Sequence, residues 1–195
     1  MSHITLQLNK LDAVLKEPNP VHYACLYPPL PVKERDSKLG ELGIDEGNLN
    51  FLFAWKNGFS PRENPGVRCM IFYFRSFLLS LDAMKEHKIA LDELSLWDGW
   101  FIPLLADMTG NYILFNNKPG KNFGKLHLFS ASLLYVDKPI SFYDSIPAMI
   151  ETTIVSYEQG VFTYEPTVDR LYEDIGRFTE IARKINVNSE YWGLR

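Results

Sequence analysis

The sequence predicts an α+β protein, with an antiparallel sheet of about four to six strands and helices packed on one face and at the ends. Two segments carry this prediction. Residues 49–58, LNFLFAWKNG, are typical of an apolar helix that stops at Asn-Gly, because these residues tolerate the left-handed backbone of a helix end. Residues 101–115, FIPLLADMTGNYILF, are typical of two strands around a tight turn. Strands joined by so short a turn pair in antiparallel fashion.

The first third of the chain is predicted to be mostly helical. An apolar stripe at helical spacing predicts a helix over 3–16, although alternation at its start leaves a strand open. The stripe consists of Ile4, Leu8, Leu11 and Leu15. Five prolines between residues 18 and 31 then predict an extended crossing, because proline lacks an amide donor and restricts the residue before it. A short polar helix is expected over 32–42, followed by the apolar helix, which Asp45 caps and which runs to Lys56.

The middle of the chain is predicted to alternate between strands and one further helix. Residues 67–74 are β-branched and aromatic and predict a strand. Ser80 is a suitable cap for a helix through about Ile89. Three strands follow, at about 100–106, 111–116 and 124–130, and Gly110 supplies the turn between the first two.

The last third is predicted to hold two helices. Ser141 is expected to cap the first, which ends near Gly160, and Thr167 is expected to cap the second. Both have apolar stripes at helical spacing. These stripes consist of Phe142, Ile146, Met149, Ile150, Thr153 and Tyr157 in the first helix, and Val168, Leu171, Ile175, Phe178, Ile181, Ala182 and Ile185 in the second.

Composition excludes several classes of protein. The net charge of -4 and the pI of about 5.6 argue against nucleic-acid binding, which needs clustered lysine and arginine. No apolar run approaches the length of a membrane span, and the N-terminus lacks the pattern of a secretory signal. We therefore expect a cytoplasmic protein with reduced thiols at Cys25 and Cys69.

Motifs for metal binding and catalysis are absent from the sequence. His22 and Cys25 have half of a zinc-site spacing, and the other candidate ligands are isolated. The alternating oxygens of Asp107, Thr109 and Asn111 are explained by a β-turn without a cation. There is no nucleophile elbow and no phosphate-binding glycine loop. We expect no metal, no cofactor and no enzyme activity.

Aromatic residues are the strongest candidates for a binding surface, because tryptophan and tyrosine anchor protein interfaces. Trp97 and Trp100 stand three residues apart at the entrance to a strand. Burial at the edge of the sheet is the alternative interpretation. The candidate partner-binding residues are Trp55, Asn57, Trp97, Asp98, Trp100, Asp107 and Asn111.

The order of these elements resembles that of the SMI/KNR-like family, the SUKH superfamily. The matching phrases are residues 55–58 (WKNG), 101–107 (FIPLLAD), 110–115 (GNYILF) and 124–129 (GKLHLF), followed by the helix from Ser141-Phe142. The resemblance covers about 32–160 of a single domain over 1–195. The chain departs from the family at Ile44-Asp45, where leucine-proline is common. An N-terminal helix and proline-rich crossing over 1–31 and a C-terminal helix within 161–195 are additions.

The resemblance implies a non-enzymatic protein-binding module. Bacterial members of the family are immunity proteins that bind and block a toxin domain, and fungal members are regulatory scaffolds. We therefore expect an immunity protein whose partner is a cognate toxin, possibly of the nuclease class, with the chain itself a monomer or weak homodimer. The alternatives are a regulatory or scaffold protein that binds an endogenous partner, and an unrecognised hydrolase.

Overall fold

The computed structural model describes residues 2–45, 47–64, 66–94, 99–130 and 139–194. Within these ranges the helices and strands form an α+β fold, as predicted. The elements of the N-terminal half are α1 (His3–Lys16), α2 (Pro20–Ala24), α3 (Val32–Glu41), α4 (Gly47–Trp55), β1 (Phe77–Leu78) and α5 (Leu81–Glu93). Those of the C-terminal half are β2 (Phe101–Ala106), β3 (Tyr112–Asn116), β4 (Leu126–Phe129), β5 (Ile140–Tyr143), α6 (Ile146–Glu158), β6 (Phe162–Glu165), β7 (Arg170–Glu173), α7 (Ile175–Ile185) and α8 (Glu190–Gly193).

The main sheet has five antiparallel strands in the order β1-β2-β3-β4-β5, so each strand lies beside its neighbours in sequence. The register between β2 and β3 shifts between Pro103 and Leu105. A bulge here accommodates Pro103, which cannot donate a ladder hydrogen bond. A separate two-stranded sheet pairs β6 with β7.

Both edges of the main sheet are covered. At the β1 edge, Phe59 forms a parallel bridge with Leu79, and its amide donates to Leu78 O at 2.8 Å. At the β5 edge, Ser189 Oγ and Trp192 Nε1 donate to the carbonyls of Ser141 and Phe142 at 2.9 and 2.8 Å. These contacts occupy backbone groups that would otherwise offer a template for another strand.

The strand β3 contributes to two apolar clusters. The larger core includes Ile113 and Phe115 of β3, together with residues of α1, α4, α6 and α7. The smaller cluster joins Leu114 to Leu91 of α5 and to Phe129. Because side chains alternate along a strand, Ile113 and Leu114 lie on opposite faces, and Leu91 of α5 packs on the Leu114 side.

Several predicted elements are confirmed. The first helix spans the predicted residues, and Ser2 Oγ accepts the amide of Thr5 at its start. Ser80 caps α5, although that helix continues to Glu93 beyond the predicted end at Ile89. The three central strands and the turn at Gly110, where φ is 89°, match the prediction. The proline-rich crossing also contains the short helix α2, which the prediction missed.

The strand predicted over 67–74 is wrong. Residues 69–73 are buried, but the chain turns back at Arg75, where φ is 53°. The amide of Ser76 donates to Phe72 O at 3.1 Å, and Ser76 O accepts the amides of Ile71 and Phe72. The segment therefore uses these backbone groups within its own turn and does not join the sheet.

The helix predicted from Ser141 begins four residues later. Ser141 and Phe142 belong to β5, and Ser145 caps α6 by accepting the amide of Ala148 at 3.2 Å. Pro147 explains the difference, because proline suits the first turn of a helix and disrupts its interior. The buried stripe from Ile146 onward is as predicted.

The helix predicted from Thr167 is also wrong at its start. The chain first forms the β6–β7 hairpin, and Asp174 then caps α7 by accepting the amide of Arg177 at 3.0 Å. Val168 is consequently exposed in the hairpin loop, and Ile175 is exposed at the first turn of α7. Phe178, Ile181 and Ala182 are buried as expected, because the helical spacing holds beyond the cap.

Candidate functional site

A groove of about 410 Å³ lies between α5, the loop at residues 60–62 and the β2–β3 turn. Its apolar lining comes from Pro61, Phe77, Ala83, Ala106 and Met108. The Met108 side chain stands at the surface and is 59% exposed. A concave apolar site with a few polar groups is the usual form of a binding site.

Asp107 closes one end of this groove and organises the β2–β3 turn. Its Oδ1 accepts the amides of Thr109 and Asn111 at 2.7 and 2.9 Å. Its Oδ2 accepts Thr109 Oγ1 and Asn111 Nδ2 at 2.7 and 2.6 Å. Four donors occupy a carboxylate that has about four lone-pair positions, so the turn itself holds Asp107 in place.

His87 and Tyr112 form part of the groove wall. His87 Nδ1 lies 2.9 Å from Tyr112 Oη, and the rings pack edge to face with centroids 5.5 Å apart. Burial lowers the pKa of His87, because a desolvated site disfavours the cation. Burial also raises the pKa of Tyr112, and the charge of Asp107 adds to this shift. Both groups therefore favour their neutral forms at neutral pH.

Arg62 and Glu86 form an ion pair at the groove mouth, where Arg62 Nη1 lies 3.0 Å from Glu86 Oε1. Both side chains are largely exposed, so the pair contributes little to stability. With His87 neutral, the charged residues lining the groove are Arg62, Glu86 and Asp107. Their sum is one negative charge, which favours a cationic group on a ligand.

Trp55 and Asn57 lie away from this groove and have structural partners. Trp55 Nε1 donates to Asp12 Oδ1 at 3.0 Å, and Asp12 also accepts the Tyr23 hydroxyl. Burial opposes ionisation of Asp12, but hydrogen bonds from Lys16, Tyr23 and Trp55 outweigh it and lower its pKa. Asn57 is buried, and its Oδ1 accepts the amide of Leu81 at 3.4 Å.

The remaining predicted binding residues lie at the other end of β2 or outside the described residues. Trp100, just before β2, is 43% exposed. Asp107 follows the last residue of the same strand, so the six residues of β2 lie between Trp100 and Asp107. At about 3.3 Å per residue, they place Trp100 and Asp107 at opposite ends of the strand. Trp97 and Asp98 lie outside the described residues. The structure thus brings together Asp107 and Asn111, and separates them from Trp55, Asn57 and Trp100.

The sequence did not predict that α5 and residues 60–62 contribute binding residues to the groove. The sequence predicted only a loop and a helix capped by Ser80 there. Phe59 is held against Leu78 and Leu79, and this backbone pairing places Pro61 and Arg62 beside α5. Because that pairing is distant in sequence, no local pattern predicts it.

A second polar cluster surrounds the buried His22. Its Nδ1 lies 3.1 Å from Met70 O and its Nε2 lies 2.9 Å from Asp169 Oδ1. Cys25 Sγ points to the carbonyl of Val21 at 3.3 Å, and burial, together with the charge of Asp169, raises its thiol pKa. Both ring nitrogens of His22 are engaged, so the imidazole has no nitrogen available to activate this thiol.

The described residues form neither a metal site nor a membrane-spanning helix. Among the described residues, no group of three or more histidine, cysteine, aspartate or glutamate side chains has the geometry to hold a metal ion. Within the same ranges, every helix is too short or too polar to cross a bilayer.

No protein-family model matches the chain, and no curated protein matches it significantly.

Proposed function

We propose that this chain is a non-enzymatic protein-binding module of the SMI/KNR-like type, and that it acts in the cytoplasm as an immunity protein. It neutralises a cognate toxin domain by direct contact. The proposal draws its family from the resemblance of residues 55–58, 101–107 and 110–115 to that superfamily. In the fold these residues form the end of α4 and the β2–β3 hairpin.

The groove between α5 and the β2–β3 turn is the observation that carries the proposal. It is apolar along Pro61, Phe77 and Met108, and it is bounded by polar groups that already have partners. Paired and neutralised groups favour recognition over proton transfer or nucleophilic attack. An inserted side chain of the partner would gain apolar contact without forcing the groove to reorganise.

The charge of the groove supports a cationic partner. Glu86 and Asp107 outweigh Arg62, and the whole chain has a net charge of -4. A toxin that cleaves nucleic acid is basic around its active site, because it must bind phosphate groups. An acidic inhibitor would therefore be steered toward it and would cover the cationic surface. The alternative is a regulatory or scaffold protein that uses the same groove for an endogenous partner.

Affinity capture from the producing organism tests this proposal. The baits are the wild-type chain, a Met108→Glu variant that blocks the groove, and a Leu194→Glu control at a distant exposed position. Met108 and Leu194 are both exposed, so neither change disturbs the core. We expect one stoichiometric partner on the wild type and the control, and its loss from Met108→Glu.

Co-expression then separates immunity from regulation. The captured partner is expressed alone, with the wild-type chain, and with Met108→Glu. An immunity protein restores growth that the partner alone arrests, and the groove variant fails to restore it. A partner that is harmless when expressed alone would favour the scaffold alternative, and equal binding by Met108→Glu would remove the groove from the interface.

A further inference from the structure

The loop between β3 and β4 forms a local basic surface on this acidic chain. Residues 116–125 have the sequence NNKPGKNFGK, with three lysines and no acidic residue. Lys125 Nζ donates to the carbonyl of Asn188 at 3.4 Å. Within the described part of the chain, Lys121 makes no ion pair. This loop therefore has a charge opposite to that of the whole molecule.

Two exposed aromatic residues lie at the same end of the sheet. Phe123 is 42% exposed, and its ring packs edge to face against the fully buried Phe115 at 6.0 Å. Trp100 is similarly exposed, and its carbonyl accepts the amide of Asn117 at 3.0 Å. Aromatic side chains held by a buried neighbour and surrounded by charge are typical of interface anchors.

The loop is fixed by hydrogen bonds at its base. Asn116 N donates to Lys125 O at 3.0 Å, and Gly124 N donates to Asn116 O at 2.9 Å. Asn117 Nδ2 donates to Gly43 O at 2.9 Å, which ties the loop to the turn after α3. A loop that is ordered before binding loses less conformational entropy when a partner arrives.

On the side of the loop that faces α5, the neighbouring carboxylate of Asp92 already has a cationic partner. Asp92 lies beside Gly99, which precedes Trp100. Lys88 Nζ lies 2.7 Å from Asp92 Oδ2 and also donates to Gly99 O at 2.8 Å. The carboxylate of Asp92 is thus already paired with Lys88.

We propose that the surface formed by Trp100, Lys121, Phe123 and Lys125, here called the lysine-loop surface, binds an acidic segment of a protein that also presents apolar side chains. Glutamate or aspartate would meet the lysines, and leucine or an aromatic residue would contact Trp100 and Phe123. A protein segment fits better than nucleic acid, because three lysines on a chain of net charge -4 are too few to hold a polyanion.

This second surface goes beyond the proposed immunity function. It lies at the opposite end of β2 from the acidic groove, and its charge has the opposite sign. The chain could therefore engage a basic partner and an acidic partner at once. Because the two sites are separate, a toxin bound in the groove would not compete with an acidic protein segment bound at the lysine-loop surface.

An NMR titration of the isotopically labelled full chain tests the lysine-loop surface. The probe is a short synthetic peptide of alternating glutamate and leucine, added at low and at moderate salt. We expect shifts confined to the Trp100 indole and the amides of 117–125, with weaker binding at higher salt. We expect Lys121→Glu to weaken binding about tenfold, and Lys33→Glu, an exposed lysine on α3, to leave it unchanged.

Other outcomes would overturn the proposal. Equal weakening by Lys33→Glu would show non-specific charge attraction. Shifts confined to the groove residues His87 and Met108 would place peptide binding at the other site. Oligothymidylate that binds the loop more tightly than the peptide would show that the surface recognises nucleic acid. The proposed immunity function is tested separately, because the capture experiment alters the groove through Met108→Glu and not the lysine-loop surface. A peptide titration that fails therefore leaves the immunity function open to its own test.

Discussion

His22 Nε2 lies 2.9 Å from Asp169 Oδ1, although the two residues are 147 positions apart in the chain. His22 is fully buried in α2, and Asp169 stands in the β6–β7 loop with φ of 47°. The other ring nitrogen faces Met70 O, which can only accept a hydrogen bond. Asp169 Oδ1 is a second acceptor, so both ring nitrogens of the buried His22 face hydrogen-bond acceptors from distant parts of the chain.

Replacing Asp169 with Ala should therefore destabilise the fold. The Asp169 side chain is 52% exposed, which screens the pair, but the buried His22 would lose the carboxylate that faces its Nε2. We expect a loss of about 1 kcal/mol in the free energy of unfolding, measured with urea at pH 7. Thr167→Ala alters the same loop without touching His22 and serves as the control. A larger loss in that control would contradict this assignment.

The Asp169 contribution should also depend on pH in a defined direction. The hydrogen bond from His22 lowers the pKa of Asp169 in the folded state. Its contribution is complete above the unfolded pKa of about 4, and is lost as the pH falls through the lower folded value. The stability difference between wild type and Asp169→Ala should shrink below about pH 4. Urea titrations between neutral and acidic pH measure it, and a difference that grows with acid would refute the pairing.

Gly58 should tolerate no side chain. Its φ is 69°, and a Cβ there would lie 2.3 Å from the carbonyl oxygen of Leu79. This oxygen belongs to rigid backbone beside the sheet, so we expect Gly58→Ala to cost at least about 3 kcal/mol or to prevent folding. Gly160→Ala is the matched control, because its φ of 65° is similar but its Cβ would meet open space. We expect a loss of about 1–2 kcal/mol there. Equal losses in thermal unfolding would show that backbone conformation alone matters.

Trp192 should anchor the C-terminal segment to the sheet. It is almost fully buried, and its ring centroid lies 4.7 Å from that of Phe142, whose carbonyl accepts its indole N–H. We expect Trp192→Ala to cost about 3–5 kcal/mol and to increase hydrogen exchange in β5. Leu194→Ala, two residues later and exposed, should change stability by less than about 0.5 kcal/mol. Unchanged exchange in β5 would mean that α8 does not protect this edge.

His87 should contribute a second pH dependence, at higher pH. Burial lowers its pKa in the folded state, so the unfolded chain takes up a proton more readily. The stabilising effect is complete above the unfolded pKa of about 6.5 and is lost as the pH falls through the folded value. We expect the stability of His87→Gln to change less with pH in this window. Tyr112→Phe removes the hydrogen bond but keeps the burial, so it should retain most of the wild-type slope.

Elements whose signals are local were predicted well. The spacing of Leu8, Leu11 and Leu15 predicts α1, and the hydroxyl of Ser80 predicts the start of α5. Gly110 predicts the β2–β3 turn, because that position requires a positive φ. The caps proposed at Ser141 and Thr167 were wrong because serine and threonine are common outside helix starts, and only contacts between strands showed where the chain extends.

The sequence by itself determined the α+β class, the central hairpin and the apolar helix that ends at Asn57-Gly58, because these features depend on neighbours within a few residues. Only the tertiary structure decided that the segment around Arg75 folds on itself, that α5 and the loop at 60–62 enclose a groove beside Asp107, and that His22 meets Asp169. Such contacts join distant parts of the chain, and their geometry follows from how all the apolar faces pack together, which no local spacing specifies.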